Sequence, residues 1–480
     1  MSATTWELVI GLEVHCQLKT RSKIFCGCAT SFGDAPNANT CPVCLGLPGA
    51  LPVLNAHAVE LATRASLALG CTVHEASVFA RKNYFYPDLP KGYQISQFDR
   101  PLATDGQVVI GTRPDGTPHA IRVHRVHMEE DAGKSVHDRF ADWSAIDLNR
   151  AGTPLVEIVS EPDIRSAAEA GAYARRMKQI LEYAEVSDAN MEEGSLRVDV
   201  NISIRPHGSE TLGTKTEIKN VNSFSAVEKA VEIEFARQVA VLEAGGTIEQ
   251  QTMLYDDKRN QVRPARSKEG SHDYRYFPEP DLPPLRLTPA YIAAQQAALP
   301  ELPNAKRARF ASQYGLGDAE IEQLVASRAL ADRYEAMVAA SGDPRRAANW
   351  LLGTVLAAVN ASGVALEAHP VSVARLGALI KLEAAGDVSN TAARQLFTML
   401  EQEDAEPLEL AKRAGLLQVK DDSALIQWIE AVLAEHPAEA ARFLGGEKKL
   451  QGVLVGLVMK KSGGAADPKK VNQLLASRAG

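Results

Sequence analysis

In the stretch "SLRVDVNISIRP", apolar and polar residues alternate without a break. Leu196, Val198, Val200, Ile202 and Ile204 fall on one parity, and Arg197, Asp199, Asn201, Ser203 and Arg205 on the other. Successive side chains of a strand point to opposite faces of a sheet, so this segment predicts a strand with one buried face. "LEVHCQLK" repeats the pattern: Leu12, Val14, Cys16 and Leu18 share one face, and Glu13, His15, Gln17 and Lys19 the other. Segments 153–160 and 214–222 also read as extended, and helical periodicity intervenes at about 56–69, 166–185 and 223–244. The class that follows is α+β with an antiparallel sheet.

The polar parity is unusual in kind. A solvent-facing strand surface is expected to carry lysine and threonine, whereas this one carries Glu, His, Asp, Asn and Arg. Glu13 and His15 are two residues apart, so their side chains emerge side by side. "HMEEDAGK" adds His127, Glu129, Glu130, Asp131 and Lys134, and "LVEIVSEPD" adds Glu157. Carboxylates brought together repel one another and must be protonated or charge-compensated. A hard divalent cation, Mg²⁺ or Mn²⁺, suits a mixed carboxylate and imidazole set. Exposed acidic turns are the alternative reading. "DAGKS" is not a phosphate-binding P-loop, because G-x-x-x-x-G-K-[ST] needs glycine where Met128 stands. A G-x-S-x-G elbow and a G-x-G-x-x-G fingerprint are missing too, which leaves acyl-enzyme and dinucleotide chemistry without support.

Cys26, Cys28, Cys41 and Cys44 form a C-x-C and a C-x-x-C pair around a polar loop. Their chemistry depends on compartment. The N-terminus has no basic stretch and no small-residue cleavage site, and no apolar run approaches the ~18 residues of a membrane helix. A cytoplasmic location is expected, where thiols stay reduced and disulfides are rare. There the two pairs read as a closed Cys₄ zinc site, structural because protein fills all four positions. A disulfide staple, a redox C-x-x-C and a set of buried thiols are the weaker alternatives. Cys16 and Cys71, lone among apolar neighbours, read as core thiols.

A chain of 480 residues suggests about three domains. Six prolines between 277 and 302 exclude a long helix or central strand and mark a boundary. Beyond it the sequence is Ala/Leu/Glu-rich and helical, with a division near "EDAEPLEL" (403–410). The net charge of −8 advertises no global affinity for nucleic acid. The charge is nonetheless segregated: residues 401–440 hold ten acids and three bases, and residues 441–480 two acids and eight bases. Lys448, Lys449, Lys460, Lys461, Lys469 and Lys470 belong to this last segment. It reads either as a local polyanion contact or as a solvated lysine-rich face.

"VIGLEVHCQLKT", "RKNYFYPDLPKGYQISQ", "HMEEDAGKS", "DLNRAGTPLVEIVSEPDI", "MEEGSLRVDVNIS" and "KTEIKNVNS" follow one another in order over residues 6–225. Together they resemble the B-subunit family of the tRNA-dependent amidotransferase GatCAB. "DYRYFPEPDLPPL" (273–285) and "VNQLL" (471–475) extend the resemblance along the whole chain. It implies a cradle domain similar to glutamine synthetase and guanido kinases over 1–292, with the zinc loop at 26–44. An all-α helical domain over 293–407 and a YqeY-like tRNA-binding tail over 408–480 would follow. The implied activity is ATP-dependent phosphorylation of the side-chain carboxylate of misacylated Glu-tRNA(Gln) or Asp-tRNA(Asn), then amidation by ammonia.

The resemblance also assigns residues. Glu13, His15, Glu129 and Glu157 would hold Mg²⁺ (or Mn²⁺), and Glu130 would join them in the catalytic set. Lys82 and Arg150 would lie in the ATP or substrate surroundings. Tyr84 and Tyr86 would line the tRNA acceptor end, or else pack in the core. Lys460, Lys461, Lys469 and Lys470 would contact tRNA. The chain carries no amidase-type "GGSSGG" run, so the ammonia is expected from a GatA-type glutaminase subunit, with a GatC-type small subunit completing a heterotrimer. A non-discriminating aminoacyl-tRNA synthetase is a further implied partner. Two other function classes fit the residues taken alone: a non-catalytic zinc-bearing RNA-binding module and a small-molecule carboxylate–amine ligase.

Overall fold

The computed structural model describes residues 5–136, 142–265 and 274–478. The chain forms two compact units, Met1–Lys306 and Arg307–Gly480. In the first unit the strands run, in chain order, β1 (Trp6–Gln17), β2 (Thr72–Val73), β3 (Ala76–Ser77), β4 (Phe79–Asn83), β5 (Tyr93–Gln97), β6 (Ala103–Thr112), β7 (Pro118–Glu130) and β8 (Lys134–Val136). They continue as β9 (Ala145–Asp147), β10 (Pro154–Ser160), β11 (Leu196–Pro206), β12 (Thr216–Val221), β13 (Thr252–Asp256), β14 (Gln261–Pro264), β15 (Phe277–Pro278) and β16 (Leu285–Arg286). Nine of them form one sheet in the order β14-β13-β12-β11-β1-β10-β7-β6-β2. Its pairs are antiparallel except β12–β13, which is parallel.

The expected parity is what this sheet buries. Leu12, Val14, Cys16, Leu196, Val198, Val200 and Ile202 are almost fully enclosed. They join the core with residues of three helices, α1 (Ala56–Ala68), α2 (Ala167–Tyr183) and α3 (Phe224–Glu243). The helices begin where side chains can take up free backbone N–H groups: Asn55, Ser166 and Ser223 accept from the first turns of α1, α2 and α3. Cys16 and Cys71 are core thiols, both buried. The helices take one face of the sheet, so the polar parity of β1, β10, β11 and β12 shares the other.

The "DAGK" turn between β7 and β8 owes its glycine to packing. A Cβ on Gly133 would come within 2.7 Å of the Asp88 carbonyl and 2.9 Å of the Asp147 carbonyl. The proline-dense stretch lies back on the first unit, where β15 pairs with β4 and β16 with β3. Arg81 clamps it through two 2.8 Å bonds to the Glu279 carboxylate. The second unit is helical. Its C-terminal helices, from Asp422–Glu435 to Pro468–Ala476, enclose Leu425, Ile429, Phe443, Leu454, Val458, Val471 and Leu475. Among the described residues no helix is long and apolar enough to cross a membrane.

Ile202 is completely buried on β11. Ile202→Ala should destabilise the first unit by about 2–5 kcal/mol, measured as a lower chemical-denaturation midpoint with an unchanged far-ultraviolet spectrum at low denaturant.

Candidate active site

The register of three central strands assembles the site. On β1, His15 stands opposite Glu157 of β10, and Glu157 stands opposite His127 of β7. On the other side His15 faces Arg197 and Glu13 faces Asp199, both on β11. Directly opposed residues bring their side chains into contact. His15 Nε2 lies 3.3 Å from Glu157 Oε2, and His127 Nε2 lies 3.5 Å from that oxygen and 3.8 Å from Glu129 Oε2. Ser96 Oγ donates to Glu129 Oε2 at 3.1 Å. Ligand atoms of His15, Glu129 and Glu157 all lie within 4.8 Å of one another, a spacing that can close on one divalent cation.

Electrostatics within this cluster oppose burial. Burial works against charge on both histidines, but Glu157 overrides it: His15 is raised, and His127, with Glu129 adding to the effect, is raised to about 9. Burial likewise raises Glu129 and Glu157, yet the neighbouring imidazoles hold both below the usual carboxylate range. Lys82 of β4 reports the same field. Its ammonium is penalised by burial but held above its ordinary value by Glu129, Tyr276 and Glu157. The ring of Tyr274 lies 4.9 Å from its Nζ.

Glu13 belongs to an adjoining group with Asp199 and Glu217, also within 4.8 Å of one another. Burial, Glu157 and Glu217 all push its carboxyl upward, and Asn201 Nδ2 donates to it at 2.9 Å. This second group already has a cation: Lys219 Nζ lies 2.9 Å from Asp199 and 3.0 Å from Glu217. A groove of about 340 Å³ runs beside both groups, lined by His15, Arg197, Asp199, Lys219, Asn220 and Asn222.

The other expected residues lie elsewhere. Glu130 follows Glu129 on the same strand and so faces away from the cluster; it is paired with Lys91 and accepts from Ile95 N at 2.8 Å. Arg150 donates to the Ala132 and Gly133 carbonyls at 2.8 and 2.7 Å and lies 3.6 Å from Asp131. Asp131 is held in turn by Arg197 at 3.0 Å and Gln17 at 2.7 Å. The rings of Tyr84 and Tyr86 pack 4.7 Å apart, with Tyr84 against Leu89, Leu148 and Ala151. Glu217 and Lys219 are members that the sequence pattern does not single out, whereas His127 and Asp199 stand in that pattern without a role of their own. Alternation places Asp199 on the polar face, but only strand register brings it beside Glu13.

The four cysteines converge as their spacing suggests. Cys44 Sγ lies 3.7 Å from Cys26, 3.7 Å from Cys41 and 3.9 Å from Cys28. A tetrahedron of ~2.3 Å metal–sulfur bonds has edges of about 3.8 Å, so the set fits a closed tetrathiolate site; a disulfide needs ~2.05 Å. In the second unit Lys461 pairs with Glu435, and Lys470 lies 3.1 Å from Asp422 and donates to the Lys420 carbonyl at 2.7 Å. Lys448, Lys449, Lys460 and Lys469 are exposed, with no ion pair among the described residues.

Fold and site define an α+β protein with a cation-competent carboxylate–imidazole sheet face, a tetrathiolate loop and a helical C-terminal unit. Residues 8–293 match the GatB/GatE catalytic domain and residues 332–478 the GatB domain. The chain is 50% identical over 475 residues to the B subunit of the aspartyl/glutamyl-tRNA(Asn/Gln) amidotransferase of Solidesulfovibrio magneticus, covering 99% of each chain. The corresponding chain of Thermosynechococcus vestitus is 51% identical over 485 residues, covering 99% of this chain and 97% of that one. That of Geobacter sulfurreducens is 49% identical over 476 residues, covering 98% and 99%. The chain belongs to the GatB/GatE family.

The His127 shift has a measurable consequence. In protein stripped of divalent cations, the His127 ring should titrate near pH 9 by NMR, and Glu157→Gln should lower that midpoint. Its folded-state value exceeds the ordinary ~6.5 of imidazole. The ion pairs therefore stabilise the fold fully below about pH 6.5, and that contribution is lost as pH rises through about 9.

Proposed function

We propose that this protein is the transamidating subunit of a tRNA-dependent amidotransferase, converting Asp-tRNA(Asn) or Glu-tRNA(Gln) to Asn-tRNA(Asn) or Gln-tRNA(Gln). The observation that carries the reading is the convergence of His15, Glu129 and Glu157 from three strands on one buried spot. A free carboxylate is a poor acyl donor, because its leaving group would be oxide. Attack of the substrate carboxylate on the γ-phosphorus of ATP releases ADP and gives an acyl phosphate. Ammonia then adds to the acyl carbon, loses a proton and expels phosphate.

Most of the first step is positioning and charge neutralisation. His15, Glu129 and Glu157 are the residues we assign to Mg²⁺ or Mn²⁺, with Glu13 beside them. The ion, when bound, supplies positive charge to the phosphoryl oxygens. Lys82 holds its ammonium toward the same carboxylates, and Arg197 and Lys219 line the groove where a triphosphate would meet cations. Arg150 has its donors on backbone carbonyls, so we assign it to shaping the turn before β10. Glu130 anchors β7 to β5 through Lys91 and the Ile95 amide, a supporting role. The antiparallel sheet with one polar face supports the glutamine synthetase/guanido kinase-like reading of the cradle.

Ammonia is assigned to a glutaminase partner of the GatA type, with a GatC-type small subunit, in a cytoplasmic assembly. Zinc is the metal assigned to Cys26, Cys28, Cys41 and Cys44. The C-terminal helices are assigned to the outer body of tRNA. Lysines there give affinity through phosphates with little base readout. Lys460 and Lys469 remain candidates and are joined by Lys448 and Lys449. Lys461 and Lys470 already serve acids of their own unit.

Two measurements on the assembled enzyme test this reading. His15→Ala, Glu129→Ala or Glu157→Ala should reduce ATP cleavage stimulated by misacylated tRNA by at least ~10²-fold, in line with the loss of other preorganised charge stabilisers. Glutaminase activity of the partner should survive at least in part. Single variants with near-wild-type stimulated turnover, or wild-type enzyme stimulated equally by free glutamate, would overturn the assignment. Replacing Lys448, Lys449, Lys460 and Lys469 together by alanine should raise the KM for aminoacyl-tRNA. It should also flatten the dependence of log affinity on log salt by about 0.9 for each phosphate no longer neutralised. An unchanged slope would make that face a solvated surface.

A further inference from the structure

Lys23 is completely buried, although it lies three residues before the first cysteine of the metal-type loop. Its Nζ has three acceptors: the Asn39 carbonyl at 2.7 Å, the Leu148 carbonyl at 3.1 Å and Cys44 Sγ at 3.4 Å. Three acceptors use all three N–H donors of an ammonium. A buried ammonium needs a counter-charge, yet no carboxylate touches this one among the described residues. The buried carboxylate of Glu130, which borders Gly152 as the Lys23 stem does, is taken by Lys91. Among the described residues, Cys44 is the one hydrogen-bond partner of Lys23 Nζ that can carry negative charge.

The complementary imbalance sits in the loop. Four thiolates around a divalent cation carry a net charge of −2, and no other lysine or arginine contacts a cysteine of the set among the described residues. The site is also built around the lysine stem. Gly152, at φ +83°, is so close that an added Cβ would lie 3.4 Å from Lys23 Cδ. The backbone N–H of Lys23 donates to Cys28 O at 2.9 Å and that of Ile24 to Gly152 O at 2.9 Å. Leu148 lies in the segment that leads into β10, and the cysteine loop grips that segment through several further hydrogen bonds. Leu148 N donates to Asn37 Oδ1, and Asn39 N to Asn149 Oδ1, both at 2.8 Å.

We propose that Lys23 is a positioning residue for the metal of the four-cysteine loop, compensating the tetrathiolate charge through Cys44 while pinning the loop to the Leu148 carbonyl. The inference rests on a metal occupying those cysteines. It extends to the active site by connection: the pinned segment carries Arg150 and enters the strand that presents Glu157.

The test uses the full chain, metal-loaded, with a colorimetric chelator as acceptor. Lys23→Met keeps the length of the stem and removes the charge. It should speed metal transfer about 10- to 100-fold, the cost of losing an outer partner of a metal ligand. In Co²⁺-substituted protein the thiolate-to-metal charge-transfer band should move to lower energy, because Cys44 loses an N–H···S bond. A folded Lys23→Met protein with wild-type transfer rate and band position would overturn the proposal. Should that variant fail to fold, reductive methylation of the wild-type protein read by mass spectrometry decides. Lys23 should resist labelling while metal is bound and react once it is removed; equal labelling in both states would overturn the proposal. A purified wild-type chain with no bound metal by elemental analysis would instead remove the underlying metal reading.

Discussion

The structure depends on the register among β7, β10 and β1. It sets His127, Glu157 and His15 in one row across three strands, with Glu129 one step along β7. A slip of one residue in any pair would turn the glutamates into the helix-packed core and the core residues outward. Register is therefore fixed twice, by the apolar parity on one face and by the charge pattern on the other. The arrangement gathers two carboxylates and two imidazoles where little water reaches, and a divalent cation that bound there would displace the His127 proton that otherwise offsets the carboxylates.

Away from that cluster, the buried charges of the first unit find local partners. Glu130 has Lys91, Asp131 has Arg197 and Gln17, and Asp199 has Lys219. Each arrangement removes a charge that would otherwise compete for the same ion. The cluster itself contains two glutamates and two histidines, and His127 Nδ1 is buried with no hydrogen-bond partner among the described residues. Such an atom is costly to leave unsatisfied. The same logic operates at the cysteine loop, where Lys23 is the buried cation. The segment that the cysteine loop grips runs on into β10, the strand that presents Glu157.

The second unit handles charge differently. Its basic C-terminal segment is partly neutralised by the acidic segment before it: Lys461 meets Glu435, Lys470 meets Asp422 and Arg478 meets Glu430. Exposed pairs of this kind contribute little to stability. They nevertheless decide which lysines are free to meet a polyanion, and so reduce a run of basic residues to a few unpaired ones.

The sequence by itself determined the features that repeat along the chain or recur at short spacing. Two-residue alternation was enough to identify β1 and β11 and their buried faces, because the side-chain period of a strand is independent of its partners. Helical periodicity located α1, α2 and α3 for the same local reason, and C-x-C with C-x-x-C was enough to bring four cysteines together. Tertiary structure decided which polar residues meet. Alternation alone sends Glu129 and Glu130 to opposite faces, but only the pairing of β7 with β10 brings Glu129 to the cluster, and only chain closure brings Lys91 to Glu130. Glu13 left its expected set for Asp199 and Glu217, which arrive from β11 and β12. His127 entered because β7 pairs with β10. Lys23, an ordinary basic residue in the sequence, became the counter-charge of a cysteine cluster because three separate segments close around it. These outcomes depend on register and on long-range closure, which a one-dimensional pattern does not encode.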